Sequence, residues 1–330
     1  MRVSLKNQFS TLDSRVPEVQ SRLAKLQSQI ASGKKNIEIA DSPEDLIDQK
    51  RIESKIRQND SIFSNLEKTV RELYAVDEEL FIIADYVQQT RDMAIGSFLN
   101  DARAATTVAE TMEGLLADMV KQANQDYNGT FLFGGNKNQF FSDNPDNQTE
   151  QNTPFKLIEG ESTDDNPSGL RVEFIGNNEV RSIRRDEFTT EEINVLPKDI
   201  FGQNSVELFS DMIDMINIIK YDSNGVVREV RNSISKQEYA EVDRIQKKLA
   251  THFERLTEAA GKNGGKIQRL EIIMDSIATE QIRLKDYRSL VSDTDVAEAS
   301  LELKKEEAAL QYALQIGSVL SRNTLFDFIR

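Results

Sequence analysis

Ser42-Pro43-Glu44-Asp45 opens a run in which Ile52, Ile56, Asn59, Phe63, Leu66, Val70, Leu73, Asp77, Leu80, Ala84, Val87, Arg91, Ala94 and Phe98 recur at alternating steps of four and three. Ser42 suits the cap of a helix and Pro43 its first position, while Glu44 and Asp45 sit well at the positive end of the helix dipole. The alternation is the a/d seam of a helix that packs lengthwise on another, broken only by the polar Asn59, Asp77 and Arg91. A seam of about 50 residues predicts a helical rod about 70 Å long at 1.5 Å rise per residue.

Upstream of this run the same alternation holds at Leu12, Val16, Val19, Leu23, Leu26 and Ile30. Ala31-Ser32-Gly33 ends that helix, with Gly33 as its left-handed cap. Downstream, a shorter helix is predicted with Val108, Met112, Leu115 and Met119 inward, ending before Asn128-Gly129. Prolines then divide the chain: Pro17 and Pro43 lie early, Pro145, Pro154, Pro167 and Pro197 cluster, and none follows. Since proline breaks helix interiors, residues 44 to about 125 and 203 to 330 are free to be long helices, and about 136 to 200 are not.

Between 130 and 200 the period changes to that of strands. Val172 and Phe174, then Gly176-Asn177-Asn178, then Val180 and Ile183 predict a hairpin, and Phe155 with Leu157 a further strand. From Asn136 to Ile200 there are seven Lys/Arg against fourteen Asp/Glu, leaving −7. This region reads as a small acidic β-rich insert with loops at Ser142–Asn152 and Ser162–Ser168.

Helix is expected again from Asn204, with Glu207 as its capping-box partner, and from Ser235 with Glu238. Val242, Ile245, Leu249, His252, Leu256 and Ala259 form one seam. After Gly264-Gly265 the run Ile267, Leu270, Met274, Ile277, Gln281, Leu284, Arg288 and Val291 forms another. Asp295 and Glu298 mark a further restart, and Val296, Ala299, Leu303, Leu310, Ala313 and Leu320 lead to the apolar Leu325, Phe326, Phe328 and Ile329. The fold class expected is mainly α: a long antiparallel helical rod with coiled-coil terminal helices and a small β-rich inserted domain.

Composition narrows the chemistry. The 330 residues hold no Cys and one His, which excludes disulfides, thiol nucleophiles and Cys-ligated metal centres. With 41 Lys+Arg against 56 Asp+Glu, the net charge of −15 argues against nucleic acid or an anionic membrane as partner. No run of about 18 apolar residues is present to span a bilayer. The opening MRVSLKNQFS lacks the apolar core of a secretory signal, so the chain is expected to be cytosolic or to leave by a route without signal cleavage. His252 occupies a seam position, where a polar residue sets register more often than it binds metal. Gly134-Gly135 has no following Lys-Ser/Thr and no GxGxxG pattern, and Asp143–Asn147 lacks the Gly and final Glu of a calcium loop. Acid abundance alone locates no glycosidase pair, and Asn128-Gly129-Thr130 and Asn147-Gln148-Thr149 are discounted as glycosylation acceptors. No catalytic, cofactor or metal residue is therefore assigned.

The two terminal stripes are harder to account for within one chain. Each is a single amphipathic helix bounded by a break, and neither can bury its stripe alone. They must pack on each other or on another chain. The expected assembly interface is Leu12, Val16, Val19, Leu23, Leu26, Ile30, Val296, Ala299, Leu303, Leu310, Ala313, Leu320, Leu325, Phe326 and Phe328.

Five strings, in order, resemble the flagellin superfamily and within it the hook–filament junction branch. They are Ser32-Gly33-Lys34-Lys35-Asn36 with Ala40-Asp41-Ser42-Pro43; Gln125 to Gly135, similar to the family's G-x-Y-x-F-x-G corner; Ala260 to Glu271; Ser292 to Ala299; and Leu325-Phe326-Asp327-Phe328. The resemblance covers both helical ends, about two-thirds of the chain, and little of the insert. Pro43 and the Phe-Asp-Phe ending favour the junction branch over filament flagellin, which is kept as the alternative. Asn36-Ile37-Glu38-Ile39 departs from the shorter basic-apolar string usual in the family.

The resemblance implies a non-enzymatic structural subunit of the bacterial flagellum, extracellular, exported through the type III apparatus without signal cleavage, and without cofactor. Its implied partners are further copies of itself in a ring or helical layer, a hook-associated protein on the hook side, flagellin on the filament side and an export chaperone, with no nucleic acid or membrane. Implied domains are residues 1–42 plus 292–330 as a terminal coiled coil, 43–135 plus 203–291 as a helical rod, and 136–202 as an outer insert.

Overall fold

The computed structural model describes residues 2–35, 42–95, 102–137, 153–164, 166–186, 189–228 and 234–328. Among them, helices α1 (Arg2–Ser32), α2 (Pro43–Ile95) and α3 (Ala102–Ala123) are followed by strands β1 (Asp126–Tyr127), β2 (Thr130–Phe131), β3 (Phe155–Glu159), β4 (Leu170–Phe174), β5 (Ser182–Arg184) and β6 (Thr190–Glu192). Then come α4 (Pro197–Phe201), α5 (Glu207–Lys220), α6 (Lys236–Ser292) and α7 (Val296–Phe328). The protein is mainly α, as its periodicity predicts. The chain forms two compact units, Met1–Ser61 with Ile277–Arg330, and Ile62–Ser276.

The second unit holds the larger core, built around α5. Leu208, Phe209, Met212, Met215, Ile216 and Ile219 are fully buried there. They pack with the inward faces of α2, α3 and α6 and with the β3–β4 hairpin. The aromatic centre is Phe155, whose ring centroid lies 4.9 Å from those of Phe174 and Phe201 and 5.6 Å from that of Phe209. Residues of the acidic region thus enter the helical core: Phe155, Val195, Ile200 and Phe201 are all buried in it.

The α6 seam Val242–Ala259 is buried at every expected position, His252 included. On α2 one ladder is as expected, with Ile52, Asn59, Leu66, Leu73, Leu80, Val87 and Ala94 buried. The second ladder keeps Ile56 and Val70 and elsewhere slips one residue towards the N-terminus, to Ile62, Val76, Ile83 and Thr90 in place of Phe63, Asp77, Ala84 and Arg91. The slip keeps the charges of Asp77 and Arg91 out of full burial. On α3 the inward residue is Leu116 rather than Leu115, completing an Ala105, Ala109, Met112, Leu116, Met119 face.

Three local expectations are corrected. The hairpin joins β3 to β4 antiparallel, with Phe155 opposite Phe174 and Leu157 opposite Val172, while β5 pairs with β6. Asn177 and Asn178 brace loops: Asn177 Oδ1 accepts from the Asn136 backbone N–H at 2.7 Å and Asn178 Oδ1 from that of Lys198 at 2.9 Å. Helix α5 starts at Glu207, because Asn204 adopts a left-handed φ of 54° after Gly202; the Glu207 carboxylate accepts from the Gln203 backbone N–H at 3.1 Å. Gly264-Gly265 does not divide α6, which runs unbroken for 57 residues. Pro17 lies inside α1, within the seam expected from Leu12 to Ile30. The Ser142–Asn152 loop lies outside the described residues.

Capping chemistry fixes the helix ends that were expected. Gly33 has φ 69° and donates its N–H to Gln29 O at 2.8 Å. Ser235 and Glu238 form the reciprocal box, at 2.6 Å and 3.3 Å. Asp295 Oδ1 accepts from the Ala297 and Glu298 backbone N–H groups at 2.9 and 3.1 Å. Between α3 and the core, Asp126–Phe131 is a two-residue hairpin turned by Asn128 (φ 53°) and Gly129 (φ 79°). Gly135 is obligatory after it, since a Cβ there would lie 2.0 Å from the Asn177 carbonyl oxygen.

Candidate assembly surface

The terminal helices meet in the first unit, where α1 packs along α7. Their inward stripe is Val19, Leu23 and Leu26 from α1 and Ala299 from α7, all buried, with Val16, Ile30, Leu303, Leu310 and Ala313 half-buried. Val296 is instead 51% exposed. The side chains of Leu12, Leu320, Leu325, Phe326 and Phe328 lie outside the described residues. The expected interface residues that are described therefore mostly form one intrachain seam.

Polar contacts fix the register of this pair. Arg22 donates Nε–H to Glu306 Oε1 at 3.0 Å and Nη2–H to Oε2 at 3.3 Å, a two-pronged pair, and also reaches Glu18 at 3.1 Å. At the other end the backbone after α1 bridges the turn before α7: Lys35 N–H donates to Ser292 O at 2.9 Å and Thr294 N–H to Gly33 O at 3.0 Å. Lys34 Nζ lies 2.7 Å from Asp293 Oδ1. That ammonium, with the Ser289 and Ser292 hydroxyls, holds the Asp293 carboxyl far below the usual carboxylate range.

A carboxyl whose folded pKa is depressed adds stability above its unfolded pKa, near 3.9, and loses it as pH falls through the folded value. Asp293→Asn should therefore lower the melting temperature at pH 7. The gap to wild type should stay level from pH 8 to 5 and close only below about pH 4. A thermal melt series across pH checks this; a gap that changes between pH 5 and 8 would assign the effect to another group.

Helix α7 has a second apolar face. Leu301, Tyr312, Ile316 and Val319 are 52 to 67% exposed. At 100° per residue they fall within about 60° of one another, opposite Ala299, Leu303 and Leu310. Sequence reading missed this face because two stripes overlap on one helix, and the regular three-four spacing picks out the inward one. The available signal was the circumference: a helix apolar on both sides has two contacts to make.

A separate polar cluster joins α5 to α6 in the second unit. Asp211 accepts from Lys248 Nζ at 2.6 Å and from His252 Nε2 at 2.8 Å, while Arg255 Nη1 lies 3.0 Å from His252 Nδ1 and 3.4 Å from Glu207. Arg255 can only donate, so His252 Nδ1 accepts and Nε2 carries the proton given to Asp211. Burial pushes the Asp211 carboxyl up, but the hydrogen bonds from His252 and Lys248 outweigh it and the net shift is downward. Glu207, Asp211 and His252 bring ligand-type atoms within 4.8 Å. Two cations already occupy those acceptors, so the cluster fits an ion-pair network better than a metal centre. It sets the α5–α6 register.

No family model matches the sequence, and no curated protein does. Solved structures do. A proposed flagellar hook-associated protein from Vibrio parahaemolyticus aligns at TM-score 0.57 and 17% identity, over 76% of this chain and 99% of that one. Flagellar hook-associated protein-3 from Legionella pneumophila aligns at TM-score 0.53 and 11% identity, over 79% and 99%. Xanthomonas campestris FlgL aligns at TM-score 0.52 and 12% identity, over 73% and 99%. The chain shares the fold of these proteins. Among the described residues, no helix is long and apolar enough to cross a membrane.

Proposed function

We propose that this chain is a structural, non-catalytic subunit of the bacterial flagellum, an adaptor at the hook–filament junction. The observation that carries the reading is the shared fold over 99% of the length of the Legionella hook-associated protein-3. The two-faced α7 supports it, because a helix that satisfies one stripe inside the chain and presents another is suited to addition of a neighbouring subunit. Such a contact joins unlike surfaces and so propagates a ring or helical layer.

In this reading the terminal helices, residues 1–42 and 292–330, line the assembled tube, and residues 43–135 with 203–291 form the supporting rod. Residues 136–202 face outward. The partners are further copies of the chain, a hook-side hook-associated protein and flagellin on the filament side. The subunit reaches its place by export without signal cleavage, escorted by a chaperone.

Negative-stain electron microscopy of the purified chain tests this, with precipitant, short filament seeds and hook-type ends supplied in turn. The expected result is a persistent monomer alone and short caps on hook-type ends. Long filaments made of this chain alone would overturn the junction reading in favour of a filament flagellin.

A further inference from the structure

Gly261, Gly264 and Gly265 lie within five residues of one another in α6, the 57-residue helix. A Cβ added at any of them would meet nothing within 4 Å. Neither packing nor a positive φ requires glycine there, since all three sit in ordinary helix. Each glycine in a helix interior favours local opening by about fivefold over alanine, and three together by about a hundredfold.

The same turn carries a second weakness. Asn263 is fully buried, and its Oδ1 has no hydrogen-bond partner among the described residues. An unpaired buried acceptor disfavours the closed state, because opening lets water reach it. Beside it lies a small cavity of about 90 Å³ between α6 and residues 194–199, which leaves space for the helix to move.

Two side chains oppose these effects. Asn263 Nδ2 donates across to the Leu73 carbonyl of α2 at 2.8 Å. Lys266 Nζ, three residues on and on the same side of the helix, donates to the Asn194 carbonyl at 2.7 Å. We propose that residues 261–265 are a built-in hinge of α6, held straight by Asn263 and Lys266 acting as two latches. Release of either latch leaves a helical turn with little intrinsic stability, so α6 bends there while its flanking seams stay packed. Because both latches end on backbone carbonyls, the hinge tolerates changes in the side chains of its neighbours. The hinge does not depend on the role proposed above.

Two measurements on the full chain test it. In amide hydrogen exchange, residues 260–268 should exchange at least about tenfold faster than residues 245–256 of the same helix. The variant Gly261→Ala/Gly264→Ala/Gly265→Ala should slow them by about a hundredfold, towards the flanking rate. Bending itself is read by spin labels at Lys247→Cys and Asp275→Cys, both exposed, in a chain with no native cysteine. They stand about 42 Å apart along a straight helix. Adding Lys266→Met, which removes one latch and leaves Asn263 in place, should broaden the distance distribution to shorter values, and adding the three alanines as well should restore one narrow peak. Even protection along α6, alanines that leave the local rate unchanged, or a single narrow peak after Lys266→Met would each overturn the hinge.

Discussion

Replacing Phe155 by alanine should destabilise the protein by about 3–5 kcal/mol, the range for deleting a large aromatic from a packed core. Phe155 is 1% exposed and its ring meets Phe174, Phe201 and Phe209, so truncation opens a cavity that three other rings border. The backbone there cannot slide to fill it. Asn124 clamps both polar groups of Phe155, accepting from its N–H at 2.8 Å and donating to its carbonyl at 2.8 Å, and Thr153 adds a third bond at 2.9 Å. A unit of this size shifts its melting temperature by about 2–4 °C per kcal/mol, so a drop on the order of 10 °C is expected. Chemical denaturation of Phe155→Ala against wild type checks it. A loss below about 1 kcal/mol would mean that β3 is peripheral to the helical core and not part of it.

That result bears on what the sequence made legible. Long regular seams were readable because burial on a helix leaves a periodic trace, and on α6 Val242 through Ala259 are all inward. On α2 the trace locates one ladder throughout and the other only at Ile56 and Val70. A strict three-four count drifts against the 3.6-residue turn, and the structure resolves the drift by burying Val76 and Ile83 beside the charged Asp77 and the small Ala84. Strand pairing was less legible, since Phe155, Leu157, Val172 and Phe174 alternate equally well with several partners. The register that wins places Phe155 opposite Phe174, and both rings meet the core. The Asn128-Gly129 hairpin carries a readable signal, the dipeptide that accepts two positive φ values, but the same pair also serves to end a helix, and the two signals coincide after α3.

For the assembly surface, the interface residues chosen by periodicity that the structure describes mostly sit in the α1–α7 seam. Their regular spacing reflects an intrachain partner. A surface left open for another subunit leaves no such partner in one sequence, only surplus apolar residues on the far side of a helix. Leu301, Tyr312, Ile316 and Val319 are the exposed surplus on which the proposed attachment rests.

Changing two of them, Ile316→Glu with Val319→Glu, should abolish attachment while leaving the monomer intact. Both side chains are more than half exposed, so the carboxylates remain solvated and melting should shift by no more than about 0.5 kcal/mol per site. In an assembled neighbour the same carboxylates would be buried without a partner, at a cost of several kcal/mol each. Binding that depends on this face cannot absorb two such costs. The decisive measurement is the occupancy of hook-type ends in negative-stain images, wild type against this double variant at equal concentration. The account predicts capped ends for wild type and bare ends for a variant with an unchanged melting curve; equal capping by both would contradict it.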